Sequence, residues 1–225
     1  METLTFLEFI RFIVAGDVDE VSRRLRADPA FATMTEPLGA TRQDAADYFF
    51  TEISHYIYEG DTALHMAAAA FSRPIAELLV SHGADCRAKN RRGAEPLHYA
   101  SDGRSASNEQ AEVIQYLLSI GADTNVVDNS GVTPLHRAVR RRSLDAVRSL
   151  LDGGADVRLP NKSGSTPLHL AVQTTGASGS GSDEAHQRQA EIIKLLLARG
   201  AKPTDKDSKG KTVEQATTSE WIGDY

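Results

Sequence analysis

Four histidines, His65, His98, His136 and His169, recur along the chain, each directly after a leucine. A row of histidines suggests a metal, because imidazole nitrogen is a common zinc ligand. Zinc needs ligands converging to about 2.0–2.1 Å, so the elements that carry these histidines decide whether they meet. The other three, His55, His82 and His186, are isolated. Two further stretches resemble catalytic motifs without completing them. The glycine-rich run 176–181 is not followed by the Lys-Ser or Lys-Thr of a phosphate loop. Gly179-Ser180-Gly181 has no strand and helix around it to strain a nucleophilic serine. Arg87 beside the single cysteine, Cys86, would favour a thiolate, but a structural cysteine fits this position better.

The histidines belong to a repeat. Gly60-Asp61-Thr62-Ala63-Leu64-His65 returns as Gly93-Ala94-Glu95-Pro96-Leu97-His98, as Gly131-Val132-Thr133-Pro134-Leu135-His136 and as Gly164-Ser165-Thr166-Pro167-Leu168-His169, with a decayed copy from Gly210. A second motif alternates with the first: Gly83-Ala84-Asp85, Gly121-Ala122-Asp123, Gly154-Ala155-Asp156 and Gly200-Ala201-Lys202. Thr133 and Thr166 suit helix N-caps, with Pro134 and Pro167 at the first helical position. Leu150-Leu151 and Leu196-Leu197 give a second helix its buried stripe. Gly121, Gly154 and Gly200 suit a left-handed helix end.

The motif Thr-Pro-Leu-His on a base period of 33 residues resembles the ankyrin repeat. The resemblance implies an all-α repeat solenoid, a stack of helix pairs with β-hairpin fingers, because one repeat alone cannot cover its apolar face. It also implies a structural role for His65, His98, His136 and His169, whose rings would tie the first helix to the neighbouring finger; adjacent repeats sit too far apart for them to share a metal. One domain is expected over 1–225. It would comprise an N-terminal capping repeat over 1–32 with helices at 4–14 and 18–27, and a Tyr-rich finger insertion over 33–59. Repeats at 60–92, 93–130, 131–163 and 164–209 and a C-terminal cap over 210–225 would follow.

The departures from the period carry the functional expectations. The third repeat has extra residues at 103–110, and the fifth at 174–188, where a Gly/Ser run predicts a solvated loop. Tyr48, Phe49, Phe50, Tyr56 and Tyr58 crowd into the first finger. Such an edge suits binding; alternatively Phe49, Phe50 and Ile53 fold back as a small helix to cover the first repeat. Arg137, Arg140 and Arg141 fall on one helical face and Lys89, Arg91 and Arg92 at a finger tip. A basic centre is therefore expected on the concave surface, with the crowded arginines mildly destabilising. The expected partner-contact residues are Met66, Tyr99, Asp102, Arg137, Arg140, Arg141, Leu170, Gln173, Lys89, Arg91, Arg92, Tyr48, Tyr56 and Tyr58. The Tyr-rich segment, the turn Tyr99–Gly103 and the Gly/Ser loop together resemble a group of bacterial ankyrin-repeat proteins without assigned activity.

Composition narrows the function classes. The net charge is −6, which argues against a nucleic-acid or anionic-membrane binder. A single cysteine rules out a disulfide within the chain. Glu2 and Glu8 stand where a signal peptide needs positive charge and a clean apolar run. The reading is a cytoplasmic, monomeric protein-interaction scaffold. It would use no cofactor or metal, have no enzymatic activity, and bind a partner protein with an acidic patch. The alternative is a small-molecule or regulatory module whose insertion loops close a pocket.

Overall fold

A computed structural model describes residues 4–103, 108–173 and 182–216. These divide into two compact units, one of residues 4–100 and 108–123, the other of residues 101–103, 124–173 and 182–216.

The first unit contains three helix pairs: α1 (Phe6–Val14) with α2 (Val18–Ala27), α3 (Ala63–Ala69) with α4 (Arg73–Ser81), and α5 (Pro96–Ala100) with α6 (Glu109–Ser119). α3 packs between α1 and α5, and α4 between α2 and α6, so first and second helices form separate rows. The core is the apolar stripe of each helix: Phe9, Ile10 and Ile13, then Leu25, Leu64, Ile75, Leu79, Leu97 and Ile114, all without solvent exposure. α1 begins at Phe6 rather than Leu4 because Thr5 is extended and caps it. The Thr5 hydroxyl accepts from Glu8 N while the Glu8 carboxylate accepts from Thr5 N at 2.7 Å, a reciprocal box that satisfies two otherwise unpaired donors.

The second unit contains α7 (Pro134–Arg141) with α8 (Leu144–Asp152), α9 (Pro167–Ala171) with α10 (Asp183–Ala198), and the short α11 (Val213–Ala216). The same two rows recur, α7 against α9 and α8 against α10, with α11 on α9. From α4 onward the second helices end alike in both units, whereas α2 ends at an extended Asp28. After α4, for example, Ala84 N donates to Leu79 O and Gly83 N to Val80 O, with Gly83 at φ +96°. That bonding closes the last carbonyls and demands a left-handed residue, hence the recurring Gly-Ala.

Two finger features position surface groups. In four fingers an Asn or Asp three residues before the motif glycine, at Asn90, Asp128, Asn161 and Asp207, accepts from two backbone N–H groups of its own turn. Neighbouring fingers in a unit are joined by one backbone bond, Arg91 N to Glu59 O at 2.9 Å in the first and Lys162 N to Ser130 O at 2.9 Å in the second. The first finger is a long hairpin. β1 (Phe49–Phe50) pairs antiparallel with β2 (His55–Tyr56), and bridges at Gly39–Tyr58 and Thr35–Thr62 continue it to the root of α3. Phe49 and Phe50 are thus strand residues, and no helix forms from them to cover the first repeat. Gly39 has φ +72°, and a Cβ there would run into the backbone of Tyr58 and Glu59.

Candidate interaction surface

His65 and His136 have both ring nitrogens engaged, whereas the buried Nε2 of His169 has no hydrogen-bond partner among the described residues. Thr62 N donates to His65 Nδ1 at 3.1 Å, so Nδ1 carries no proton, and Nε2–H donates to Ala94 O at 3.0 Å in the next finger. His136 repeats this, with Thr133 N at 3.2 Å and Ser165 O at 2.9 Å. Glu95 N and Thr166 N donate likewise to Nδ1 of His98 and His169. An imidazole with both nitrogens committed has no lone pair for a metal, and among the described residues no cluster of His, Cys, Asp and Glu has the geometry of a metal site. Burial pushes the His136 imidazole below its ordinary value, against the Ser165 carbonyl and Asp128, which raise it.

Two expected contact residues of the first unit lie in its interior. Met66 is fully buried and Tyr99 is 2% exposed. All seven residues of α3 are buried, because the helix is enclosed between its neighbours. Tyr99 belongs to a polar network that sequence reading missed. Its hydroxyl donates to Asp61 Oδ2 at 2.7 Å, Asn90 Nδ2 donates to Asp61 Oδ1 at 2.8 Å, and Tyr58 N donates to Asp61 Oδ2 at 2.6 Å. The Tyr99 ring lies against His55 and His65, with centroids 4.5 and 5.0 Å away. The network ties the root of the first finger to the next and leaves neither Met66 nor Tyr99 a surface to offer.

The arginine cluster of α7 is not the open basic centre expected from its sequence. Asp102 accepts from Arg141 Nε at 2.6 Å and from Arg137 at 3.2 Å, and Arg140 lies 3.6 Å away. Arg137 also donates to Asp128 at 3.1 Å. The Arg137 and Asp102 side chains are each only 10% exposed. Burial pushes the Asp102 carboxyl up, but Arg137, Arg141 and Arg140 outweigh it and hold the group below its ordinary value. Asp128 is lowered against burial by backbone N–H groups of Ser130 and Val132 and by Arg137. Arg137 and Asp102 are therefore an interior ion pair, and only Arg140 and Arg141 reach solvent. In the same unit Leu170 is half-buried and Gln173 exposed, the Gln173 carbonyl accepting from Gln189.

The first unit brings together two groups that lie one period apart in sequence. The Arg92 guanidinium sits over the Tyr58 ring, 4.7 Å from its centroid, and that of Arg91 lies 5.9 Å from the same ring. Arg91 also donates to Ala40 O and approaches Glu59 at 3.5 Å. Tyr56 packs on Phe49 at 4.7 Å, and both rings are 37% exposed; Tyr48 is half-buried. Between the long hairpin and the next finger lies an open pocket of about 260 Å3, lined by Ala40, Thr41, Arg42, Ala45, Tyr56, Tyr58 and Arg91. Arg42, which sequence reading did not single out, and Arg92 make no ion pair with a described residue. Lys89 is partly compensated, its Nζ 3.7 Å from the buried Glu95 carboxylate. Cys86 is half-buried, with its thiol raised by burial and by Asp85, so Arg87 does not activate it.

Among the described residues no helix is long and apolar enough to cross a membrane. No curated protein matches the chain significantly. Residues 103–207 match the profile of ankyrin repeats in three copies, and residues 64–118 that of ankyrin repeats in many copies. Ankyrin repeats are generally protein–protein interaction modules, and proteins built from them are typically non-enzymatic binding scaffolds. The paired helix rows, the hairpin fingers and the capping histidines fit this class of all-α repeat solenoid, and over residues 64–207 the chain is a run of ankyrin repeats.

Proposed function

We propose that the chain is a scaffold that binds a partner protein through its fingers and the exposed arginines of α7, and that the partner presents an acidic surface. The supporting observation is the finger edge of the first unit. Exposed Tyr56 and half-buried Tyr58 stand there beside Arg42 and Arg92, which make no ion pair with a described residue, in a chain whose net charge is −6. Tyrosine and arginine are the residues that most often dominate binding energy at protein interfaces. Retaining positive charge on an acidic protein favours an acidic partner and disfavours like-charged ones. Arg140 and the exposed part of Arg141 form a second, weaker positive region in the other unit.

The test is affinity capture from cells of the source organism at low and high salt. The bait is the wild-type chain, beside one carrying Tyr56→Ser and Arg92→Glu. The expected result is a protein held by the wild type at low salt, lost at high salt, and absent from the variant although the variant still folds, as a cooperative melt shows. A wild-type chain that retains no protein, or a variant that retains the same one equally, overturns the reading.

A further inference from the structure

We propose that the pocket between the long hairpin and the following finger receives an aspartate or glutamate side chain of an unmodified linear segment of the partner. This rests on the scaffold reading and names the chemistry of its contact. The pocket is lined by Ala40 and Ala45, by Tyr56 and Tyr58, and by Arg42 and Arg91, and no acidic residue lines it. At about 260 Å3 it has room for an acidic side chain and lies below the roughly 300–1,000 Å3 of a small-molecule site.

Charge complementarity decides the occupant. Arg42, Arg91 and Arg92 gather around Tyr58 and the pocket; Arg91 lies 3.5 Å from the Glu59 carboxylate, and Arg42 and Arg92 make no ion pair with a described residue. Arg91 is further fixed by its bond to Ala40 O. Arg42 is therefore the lining guanidinium left to meet an anion, with Arg92 beside it on Tyr58. One guanidinium fork matches one carboxylate, with two parallel N–H···O bonds. A phosphate group, with about two charges and three strong acceptors, would call for several converging cations, and Arg91 is already committed. The alanines and tyrosine rings suit the methylenes of the acidic side chain. Phe49, whose ring packs on Tyr56, offers exposed apolar surface next to the pocket. That surface fits a chain segment that runs on past the pocket rather than a free small anion.

The experiment uses the full chain, labelled with 15N, and titrates it with three capped octapeptides that share flanking residues. One has four central glutamates, one has glutamines in their place, and one has a single central phosphoserine among glutamines. Expected are saturating amide shifts at residues 40–45, 56–59 and 91–92 with the glutamate peptide, at least five-fold weaker binding after Arg42→Gln or Arg92→Gln, and no saturation with glutamine. Equal binding of the glutamine peptide overturns the proposal, as does a phosphoserine peptide that binds more tightly than the glutamate one. Shifts that map elsewhere overturn it too. Arg42→Gln is remote from the core, and unchanged shifts over α3 and α5 verify folding. If the chain captures a partner from cells and Arg42→Gln leaves that capture intact, the pocket assignment fails while the scaffold reading stands. If the peptide binds but no protein is captured, the reverse holds.

Discussion

Arg137, Arg140 and Arg141 converge on one carboxylate, that of Asp102, at 3.2, 3.6 and 2.6 Å, whereas Arg42 and Arg92 border an aromatic pocket that no acidic residue lines. Both groups sit in ordinary positions for a repeat protein, one on a first helix and one on fingers. What separates them is whether a carboxylate from the preceding repeat reaches them. Asp102 lies in the turn after α5 and arrives at α7 as a counter-ion. Arg92 meets the Tyr58 ring instead, and a ring face attracts a cation without cancelling its charge. A run of arginines in sequence therefore does not reveal how much positive charge a surface retains; the residues one period away settle it.

The strongest way to break this comparison is to remove Asp102. Asp102→Ala leaves Arg137, 10% exposed, with Asp128 alone and with a buried Nε that has no hydrogen-bond partner among the described residues. The expected loss is roughly 2–3 kcal/mol, less than the about 3–5 kcal/mol for breaking a buried pair outright, because Asp128 still holds the charge. Urea unfolding measures it, and hydrogen exchange should place the loss in α7 and α8.

Acid acts with opposite sign on the buried carboxyls of the two units. Asp102 and Asp128 lie below their ordinary 3.8 in the folded chain. The stability they contribute is complete above that value and is lost as pH falls through their folded values. His136, lowered from 6.5, stays neutral longer in the folded than in the unfolded chain, so the second unit also weakens as pH falls below 6.5. Glu95, in the first unit, behaves oppositely. Burial pushes its carboxyl above 4.5, against Lys89 and Arg87, and one of its oxygens is buried without a hydrogen-bond partner among the described residues. Its burial is least favourable when charged, so its own contribution grows as pH falls through the folded value towards 4.5. Glu8 and Glu20 of the same unit, lowered by their hydrogen bonds to Thr5 and to Arg23 and Arg24, lose theirs at lower pH. Thr62, Thr133 and Thr166 occupy the corresponding N-cap in the other repeats. Glu95→Thr should thus stabilise the first unit at neutral pH by about 1–2 kcal/mol, the scale of a good cap, and abolish the Glu95 gain in acid. Thermal melts of both forms from neutral pH to mild acid check this.

The repeat itself was legible because its glycines, capping threonines and paired leucines are each dictated by backbone geometry. The α1–α2 pair was legible for the same reason, from an apolar stripe and the turn at Gly16. The candidate site was legible only in part. Tyr56, Tyr58, Arg91 and Arg92 stood out by type, but their meeting depends on fingers stacking at the repeat period, which brings residues about 33 apart side by side, as Tyr58 and Arg91 show. The same offset governs Asp102 with Arg137 and Asp61 with Asn90. Applied to charges as well as to motifs, it would have paired Asp102 with the α7 arginines. Met66 and Tyr99 looked exposed because they follow the motif leucine and histidine, but those first helices are too enclosed to leave an outward face.

A smaller effect sharpens the comparison. Sequence alone suggests that the α7 arginines repel and that reversing them leaves the melting temperature unchanged or raised. With Asp102 between them the sign inverts: Arg140→Glu with Arg141→Glu sets two new carboxylates beside an interior one. Both arginines are more than a third exposed, so solvent screens much of the effect, and the expected cost is up to about 1 kcal/mol. A melt at low and high salt measures it, and the cost should shrink as salt rises.

The smallest expected effect belongs to Arg42→Ala. Arg42 is exposed, lines the pocket, and makes no ion pair with a described residue. Its removal takes away no buried contact and leaves no carboxylate unpaired, so the melting temperature of the first unit should stay where it is. Arg92→Ala is the calibrating neighbour, because it also loses the contact over Tyr58, and exposed cation–π contacts are worth roughly 0.5–1 kcal/mol. A group that does nothing for folding, yet holds a charge at an aromatic pocket, is free to serve binding. If Arg42→Ala lowers stability as much as Asp102→Ala does, Arg42 is a structural residue like Arg137. The contrast between an open and a closed arginine group then disappears.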